Sequence, residues 1–332
     1  MKAVRLHEKA GPRALKVEVI PDPTPQAGEI LVRIHRAAFN RRDVFITQGL
    51  YPGIELPKTL GSDGCGVVAL LGAGVSGPPV GTPVLIDPML GWGDDPHIWS
   101  AKASVLGMPH EGTFAEYISV PAGNVYAKPT HLDDDEGAAI PLAGLTAYRA
   151  VFTRGQLAPG ETILITGIGG GVQSFVLLFA KHCGAKTIVT STHDAKLERA
   201  TSMGADVTIN TKANPDWHKA LRKTPPDIIV DSVGGEILSK CVTVVKPGGR
   251  LVIYGGTLGD ATIKPFPVFW NQIDIRGTSM GSPQDFRGML KVFEQGKLRP
   301  AIDEVFPMER VADAAERLDG GESFGKIVLA IG

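Results

Sequence analysis

The cluster Gly167-Ile168-Gly169-Gly170-Gly171 follows an apolar run, Glu161 to Thr166 (ETILIT), and precedes a helical pattern from Val172 to Cys183 that starts in earnest at about Gln173. Glycines in such a place let the backbone turn tightly and let a pyrophosphate approach the amides of a helix N-terminus, where the dipole favours negative charge. Strand, glycine turn and helix in that order point to a dinucleotide cofactor. The third glycine of the usual motif is absent: Val172 or Gln173 stands there, depending on the count.

About twenty residues further on, a site for NAD places an acidic residue at the strand end to hold the ribose 2′-hydroxyl. Here that end reads Thr190-Ser191-Thr192-His193, with Lys196 one helical turn later. Hydroxyls and a lysine donate to a 2′-phosphate where a carboxylate would repel it, so the expected cofactor is NADP(H). Asp194, which could turn inward to the ribose, carries the competing reading.

The elements that must position these groups fall into two rhythms. From Met1 to about Val125 short alternating runs, such as Glu29 to His35, Gly66 to Leu71 and Phe114 to Val120, predict an irregular antiparallel sheet or barrel with little helix. From about Glu136 helices alternate with apolar strands: Thr187 to Ser191, Val207 to Asn210, Asp227 to Asp231 and Arg250 to Tyr254 read as strands, and Lys196 to Met203 as a helix. That alternation predicts a parallel sheet covered on both faces. A helix at Asp285 to Glu294 then leads to a last alternating strand, Lys326 to Ile331, expected to return to the first domain.

A length of 332 residues fits about two domains. Lys and Arg number 34 against 35 Asp and Glu, which excludes the strong basic field of a nonspecific nucleic-acid or membrane-surface binder. No signal-peptide pattern opens the chain and no apolar run reaches the 18 or so residues of a membrane span, so a cytoplasmic location is expected. The three cysteines, Cys65, Cys183 and Cys241, lie far apart, which suits a reducing compartment and excludes a four-cysteine structural zinc site.

Several stretches together resemble the medium-chain dehydrogenase/reductase superfamily and, within it, the zinc-free quinone oxidoreductases. They are Asn40-Arg41-Arg42-Asp43, Gly49-Leu50-Tyr51-Pro52, Leu60-Gly61-Ser62-Asp63-Gly64-Cys65-Gly66, Gly112-Thr113-Phe114-Ala115-Glu116-Tyr117, Gly144-Leu145-Thr146-Ala147-Tyr148, the Gly167 loop and Asp231-Ser232-Val233-Gly234-Gly235. The resemblance covers nearly the whole chain. It implies a chaperonin-10-like β-barrel domain from residues 1–127 and 280–332 and a doubly wound Rossmann domain over 128–279.

The resemblance also distributes roles. Asn40 and Asp43 are expected beside the nicotinamide and Tyr51 facing the substrate, with Tyr51 the one side chain of the group suited to donate a proton to a developing enolate. Asp43 has a competing use as a cap for its own backbone, and Tyr51 as a packing residue before Pro52. Cofactor contacts are expected from Asn40, Thr146, Gly167, Gly169, Gly170, Gly171, Val172, Ser191, Thr192, Lys196, Ser232, Val233, Gly255 and Thr257. Thr211 stands where related quinone reductases often carry a tyrosine over the adenosine phosphate, and Arg41 and Arg42 add charge near the substrate or remain solvated.

Metal-dependent relatives place ligands at the positions of Asn40, Ser62 and Leu142. An amide, a hydroxyl and an isobutyl group do not build a tetrahedral zinc site, so no metal is expected. The loop from Asp87 to Glu111, with Asp94, Asp95, His97 and His110, reads as a surface or subunit-contact loop with Trp92 and Trp99 buried rather than as a metal cluster.

These features give an NADPH-dependent reductase of quinones or α,β-unsaturated carbonyls, acceptors whose reduced anion is delocalised and needs no Lewis acid. The assembly expected is a homodimer joined through Rossmann sheet edges, or a tetramer. Two alternatives stand beside it: a noncatalytic NADPH-binding sensor and an alcohol dehydrogenase with an unusual metal site.

Overall fold

The computed structural model describes all 332 residues. Its strands and helices run, in chain order, β1 (Lys2–Leu6), β2 (Leu15–Val19), β3 (Glu29–Ala38), α1 (Arg41–Thr47), β4 (Lys58–Thr59), β5 (Asp63–Leu71), β6 (Pro83–Ile86), β7 (Met89–Leu90), β8 (Ser104–Val105), β9 (Tyr117–Pro121), β10 (Val125–Ala127), α2 (Asp134–Ala139), α3 (Pro141–Tyr148), β11 (Thr162–Ile165), α4 (Gly171–His182), β12 (Lys186–Ser191), α5 (Asp194–Ser202), β13 (Val207–Asn210), α6 (Trp217–Leu221), β14 (Ile228–Asp231), α7 (Gly235–Cys241), β15 (Arg250–Ile253), α8 (Pro265–Trp270), β16 (Asp274–Gly277), α9 (Pro283–Gly296), β17 (Ile302–Pro307), α10 (Val311–Asp319) and β18 (Lys326–Ala330). They divide into two compact units, Met1–Ala143 with Ser282–Gly332, and Gly144–Gly281.

The first unit is a GroES-like β-domain. Its main sheet runs β10-β6-β5-β3-β18-β17, and β9 also pairs with β3. The long strand β3 alternates apolar residues inward (Ile30, Val32, Ile34) with polar ones outward, the period-two pattern of a half-buried strand. Register shifts between Leu31 and Val32 and between Ile34 and Arg36 mark irregularities in the β3–β5 pairing. Phe39 and Phe114, with ring centres 4.6 Å apart, sit in the core at the end of β3. The strand β18 enters this sheet antiparallel to β3, Val328 opposite Ala38.

The second unit is a Rossmann sheet. Its six strands are all parallel in the order β13-β12-β11-β14-β15-β16. Ile163, Leu164 and Ile165 of β11 and Ile228, Ile229 and Val230 of β14 are completely buried, which explains their unbroken apolar sequence. The strand order reverses between β11 and β14. In sheets of this kind ligands bind beyond the carboxyl ends of the strands at that reversal.

Several sequence expectations need correction. Helix α4 begins at Gly171, two residues before Gln173, and β9 begins at Tyr117 rather than Phe114. Trp92 is buried, but Trp99 is 43% exposed. The helices α1 and α10 and the edge strand β16 had no counterpart in the sequence reading.

Candidate active site

Asn40 caps α1 with an extended backbone, and the reciprocal bond comes from inside the helix: Asp43 Oδ2 accepts the Asn40 amide at 2.8 Å. Asp43 is therefore a helix-cap residue in this geometry. Its side chain is fully buried and Oδ1 has no donor within reach. Burial pushes its carboxyl up to about 6, against the pull of the Arg42 charge.

The Asn40 side chain is held from two sides. Its Nδ2 donates to Asp63 Oδ2 at 2.9 Å, and its Oδ1 accepts from Lys326 Nζ at 2.7 Å. The Lys326 ammonium also donates to Phe39 O at 2.7 Å and to Asp63 Oδ2 at 2.8 Å, so three oxygens take its three protons. Lys326 is 2% exposed and Asp63 completely buried. Asp63 Oδ1 accepts the Leu142 amide at 2.7 Å. Sequence reasoning missed both Lys326 and Asp63 as site residues; the available signal was a lysine opening an otherwise apolar strand.

Arg42 sits half-buried on the first turn of α1. Its guanidinium donates to Ser62 Oγ and Leu106 O, both at 2.6 Å, to Met108 O at 3.2 Å and, through Nε, to the Tyr51 hydroxyl at 3.3 Å. It also lies over the Tyr51 ring, 4.8 Å from its centre. Ser62 Oγ passes its own proton to Leu106 O at 2.8 Å. Of the two uses left open for Arg42, a charge near the site or a solvated one, the hydrogen bonds favour the first, because its guanidinium is built into the group. Arg41 turns away, donating to Leu318 O at 2.9 Å.

The residues at the three metal-ligand positions do not fit zinc. Asn40 is committed to Lys326 and Asp63, Ser62 to Arg42 and Leu106, and Leu142 brings only its backbone amide to Asp63. No group of three His, Cys, Asp or Glu side chains in the chain is arranged to hold a metal ion.

In the second unit the cofactor loop is shaped by backbone conformations only glycine adopts freely. Gly167 has φ +66° and Gly169 φ +123°, and α4 starts behind Gly170 with no side chain capping it. A Cβ on Gly167 would meet Val233 Cγ2 at 2.7 Å, and one on Gly169 would meet Lys196 Cδ at 2.5 Å and Nζ at 3.1 Å. The lysine chain thus lies across the glycine turn. Ser232 Oγ accepts from Gln173 of α4 at 2.6 Å, its Cβ lies 3.3 Å from the Cβ position of Gly255, and its carbonyl takes the Thr257 amide at 3.0 Å. Buried Asp231 ties the two strand ends together, accepting from Thr166 Oγ1 at 2.5 Å and from the Gly234 amide at 3.0 Å.

The remaining expected cofactor residues are placed as follows. Gly171 and Val172 form the first turn of α4, and Thr146 is buried on α3. Ser191 closes β12, its Oγ accepting the His193 amide at 3.2 Å and its carbonyl the Thr211 amide at 2.9 Å. The hydroxyl of exposed Thr192 is paired with His193 Nδ1 at 2.9 Å. Asp194 Oδ1 accepts from Asn210 Nδ2 at 2.7 Å, which turns it toward β13. The loop and the groups around the strand reversal fit a dinucleotide.

The fold and these two groups define a nicotinamide-dependent oxidoreductase. A model described as an alcohol dehydrogenase GroES-like domain matches residues 26–130, and one described as zinc-binding dehydrogenase matches 171–295. A zinc-type alcohol dehydrogenase-like protein, YogA, from Leptosphaeria maculans is 38% identical over 341 residues, covering 96% of this chain and 94% of that one. A crystal structure of an NAD-dependent alcohol dehydrogenase superposes with a TM-score of 0.94 at 35% identity over the full length of both chains. An acryloyl-coenzyme A reductase from Metallosphaera sedula is 27% identical over 347 residues and covers 99% of each chain. The chain belongs to the medium-chain dehydrogenase/reductase superfamily. No helix is long and apolar enough to cross a membrane.

Proposed function

We propose that the protein is a zinc-independent, NADPH-dependent reductase of quinones or α,β-unsaturated carbonyls. The observation that carries this reading is the commitment of Asn40, Ser62 and Leu142 to Lys326, Arg42 and Asp63, which leaves no donor set for a Lewis-acid metal. Conjugated acceptors suit such a site because their reduced anion spreads its own charge.

The bound dinucleotide would supply a hydride from the reduced nicotinamide. The chain's task is to bind and orient. The Gly167–Gly171 turn and the N-terminus of α4 would take the pyrophosphate, with Val233, Ser232, Gly255 and Thr257 around it. Lys196 across Gly169, with Ser191 and Thr192 at the end of β12, favours a 2′-phosphate, and the Asp194–Asn210 bond supports that preference. Asn40, fixed by Lys326 and Asp63, would orient the nicotinamide or the acceptor, and Tyr51 would hand over the proton. We further propose self-association at the β16 edge, where the adjoining α8 exposes Phe266, Phe269 and Trp270.

The test is NADPH oxidation with a panel of quinones, enones and aldehydes in the presence of a chelator, beside an NADH control and metal analysis of the purified protein. Turnover of conjugated acceptors with NADPH and less than one metal ion per ten chains is expected. Aldehyde-only turnover that the chelator abolishes would replace this reading with an alcohol dehydrogenase, and tight NADPH binding with no acceptor reduced would replace it with a sensor.

A further inference from the structure

The proton for the reduced acceptor has to come from somewhere, and among Ser62, Asn40, Lys326 and Tyr51 the hydrogen bonds of the first unit favour one. Ser62 sends its proton to Leu106 O, both Asn40 amide protons belong to a side chain that cannot release them, and the Lys326 ammonium is spent on three oxygens. Tyr51 differs. Its oxygen accepts from Arg42 Nε, and a guanidinium has no acceptor to offer in return. The phenolic proton must therefore point away from Arg42. Tyr51 is partly buried against the core, with its ring under the guanidinium.

We propose that Arg42 is the positioning residue that makes Tyr51 the proton donor, a role that rests on the reductase reading given above. Arg42 is itself immobilised by Ser62, Leu106 and Met108, so its Nε is a fixed anchor for the phenol oxygen. After hydride addition the acceptor is an enolate or hydroquinone anion. The Tyr51 O–H bond breaks, its electron pair stays on the phenol oxygen beside the guanidinium charge, and a new O–H or C–H bond forms on the acceptor; solvent then returns a proton to Tyr51. Arg42 acts through the Tyr51 oxygen, to which its Nε donates, and supplies its cation where the phenolate develops.

The experiment is a double-mutant cycle of Arg42→Gln and Tyr51→Phe, run with whichever acceptor the wild-type enzyme turns over, so that the identity of the acceptor and the role of Arg42 are decided separately. Tyr51→Phe is expected to lower kcat by roughly a hundredfold. Arg42→Gln is expected to lower it at least tenfold with KM and NADPH affinity little changed, and to enlarge the solvent deuterium isotope effect on kcat, because the slowed proton transfer then limits turnover. In the Tyr51→Phe background the same substitution should cost less than about twofold, because the group it serves is gone. Equal losses in both backgrounds, or an effect confined to thermal stability and KM, would overturn the proposal. Should Arg42→Gln fold poorly, Arg42→Lys, which keeps charge but not the fork, is read by the same cycle and should fall between wild type and the glutamine variant.

Discussion

Lys326 Nζ and Asp63 Oδ2 lie 2.8 Å apart with both side chains shut off from solvent. A pair this deep is expensive to break, because the survivor is left as an uncompensated charge, yet an apolar pair of similar volume is often as stable.

Lys326→Met alone should therefore destabilise the first unit by about 3–5 kcal/mol. Lys326→Met combined with Asp63→Leu should recover part of that loss. Urea unfolding followed by circular dichroism measures both. Full activity in the double variant would show that the pair serves folding alone; a folded but slow enzyme would show that Asn40 needs its two anchors.

Asp87 gives the fold a pH dependence of defined sign. It is completely buried, Oδ2 has no partner, and burial pushes its carboxyl up to about 7 from an ordinary 3.8. Asp43 shifts the same way, to about 6. A raised carboxyl pKa means the folded chain binds more protons than the unfolded one between the two values, so stability falls as pH rises from about 4 to about 7. Asp87→Asn should flatten that slope and stabilise the protein at pH 8 by up to about 4 kcal/mol, at about 1.4 kcal/mol per pKa unit. Thermal melts at pH 5 and pH 8 compare the two proteins; an asparagine variant with the wild-type slope would refute the assignment.

Gly169→Ala adds a Cβ to a residue at φ +123° and presses it against Lys196. The strain is of order 1–3 kcal/mol. NADPH affinity should drop roughly tenfold or more in fluorescence titration, while unfolding of the first unit stays unchanged. Lys196→Ala should weaken NADPH binding severalfold and leave NADH binding within about twofold, since only the former carries a 2′-phosphate for the ammonium.

Phe266 and Trp270 stack at 5.6 Å on a face of α8 where both are more than 60% exposed. Exposed aromatic clusters of this kind mark association surfaces. On the self-association proposed above, Trp270→Glu with Phe266→Ser should lower the mass seen by light scattering after size exclusion; an unchanged mass would rule out association through this face.

The centre of the Rossmann unit was readable because β11, β12 and β14 are almost wholly buried and α4 and α5 are long enough to show their period, whereas α6, α7 and α8, of five to seven residues, escaped. Helix α1 escaped because seven residues give barely two turns of periodicity, and its one local sign, Asn40 followed three residues later by Asp43, is a cap with Asp in place of the usual Glu or Gln. The edge strand β16 escaped because Asp274 and Arg276 interrupt its apolar character. The group around Asn40 was only half legible. Asn40, Asp43 and Tyr51 were visible as a set, but Asp63 had no local sign of its role, and Lys326 lies more than 260 positions from it and reaches the group through strand pairing that no local pattern announces.

That pairing has a consequence for the order in which a newly made chain matures. Because β18 fills the gap between β3 and β17, the first unit cannot complete its sheet until the ribosome has delivered residues that come after the whole nucleotide-binding unit. The nascent polypeptide can thus hold a finished Rossmann sheet while its earliest strands wait, and any product halted before residue 326 lacks the ammonium that anchors Asn40.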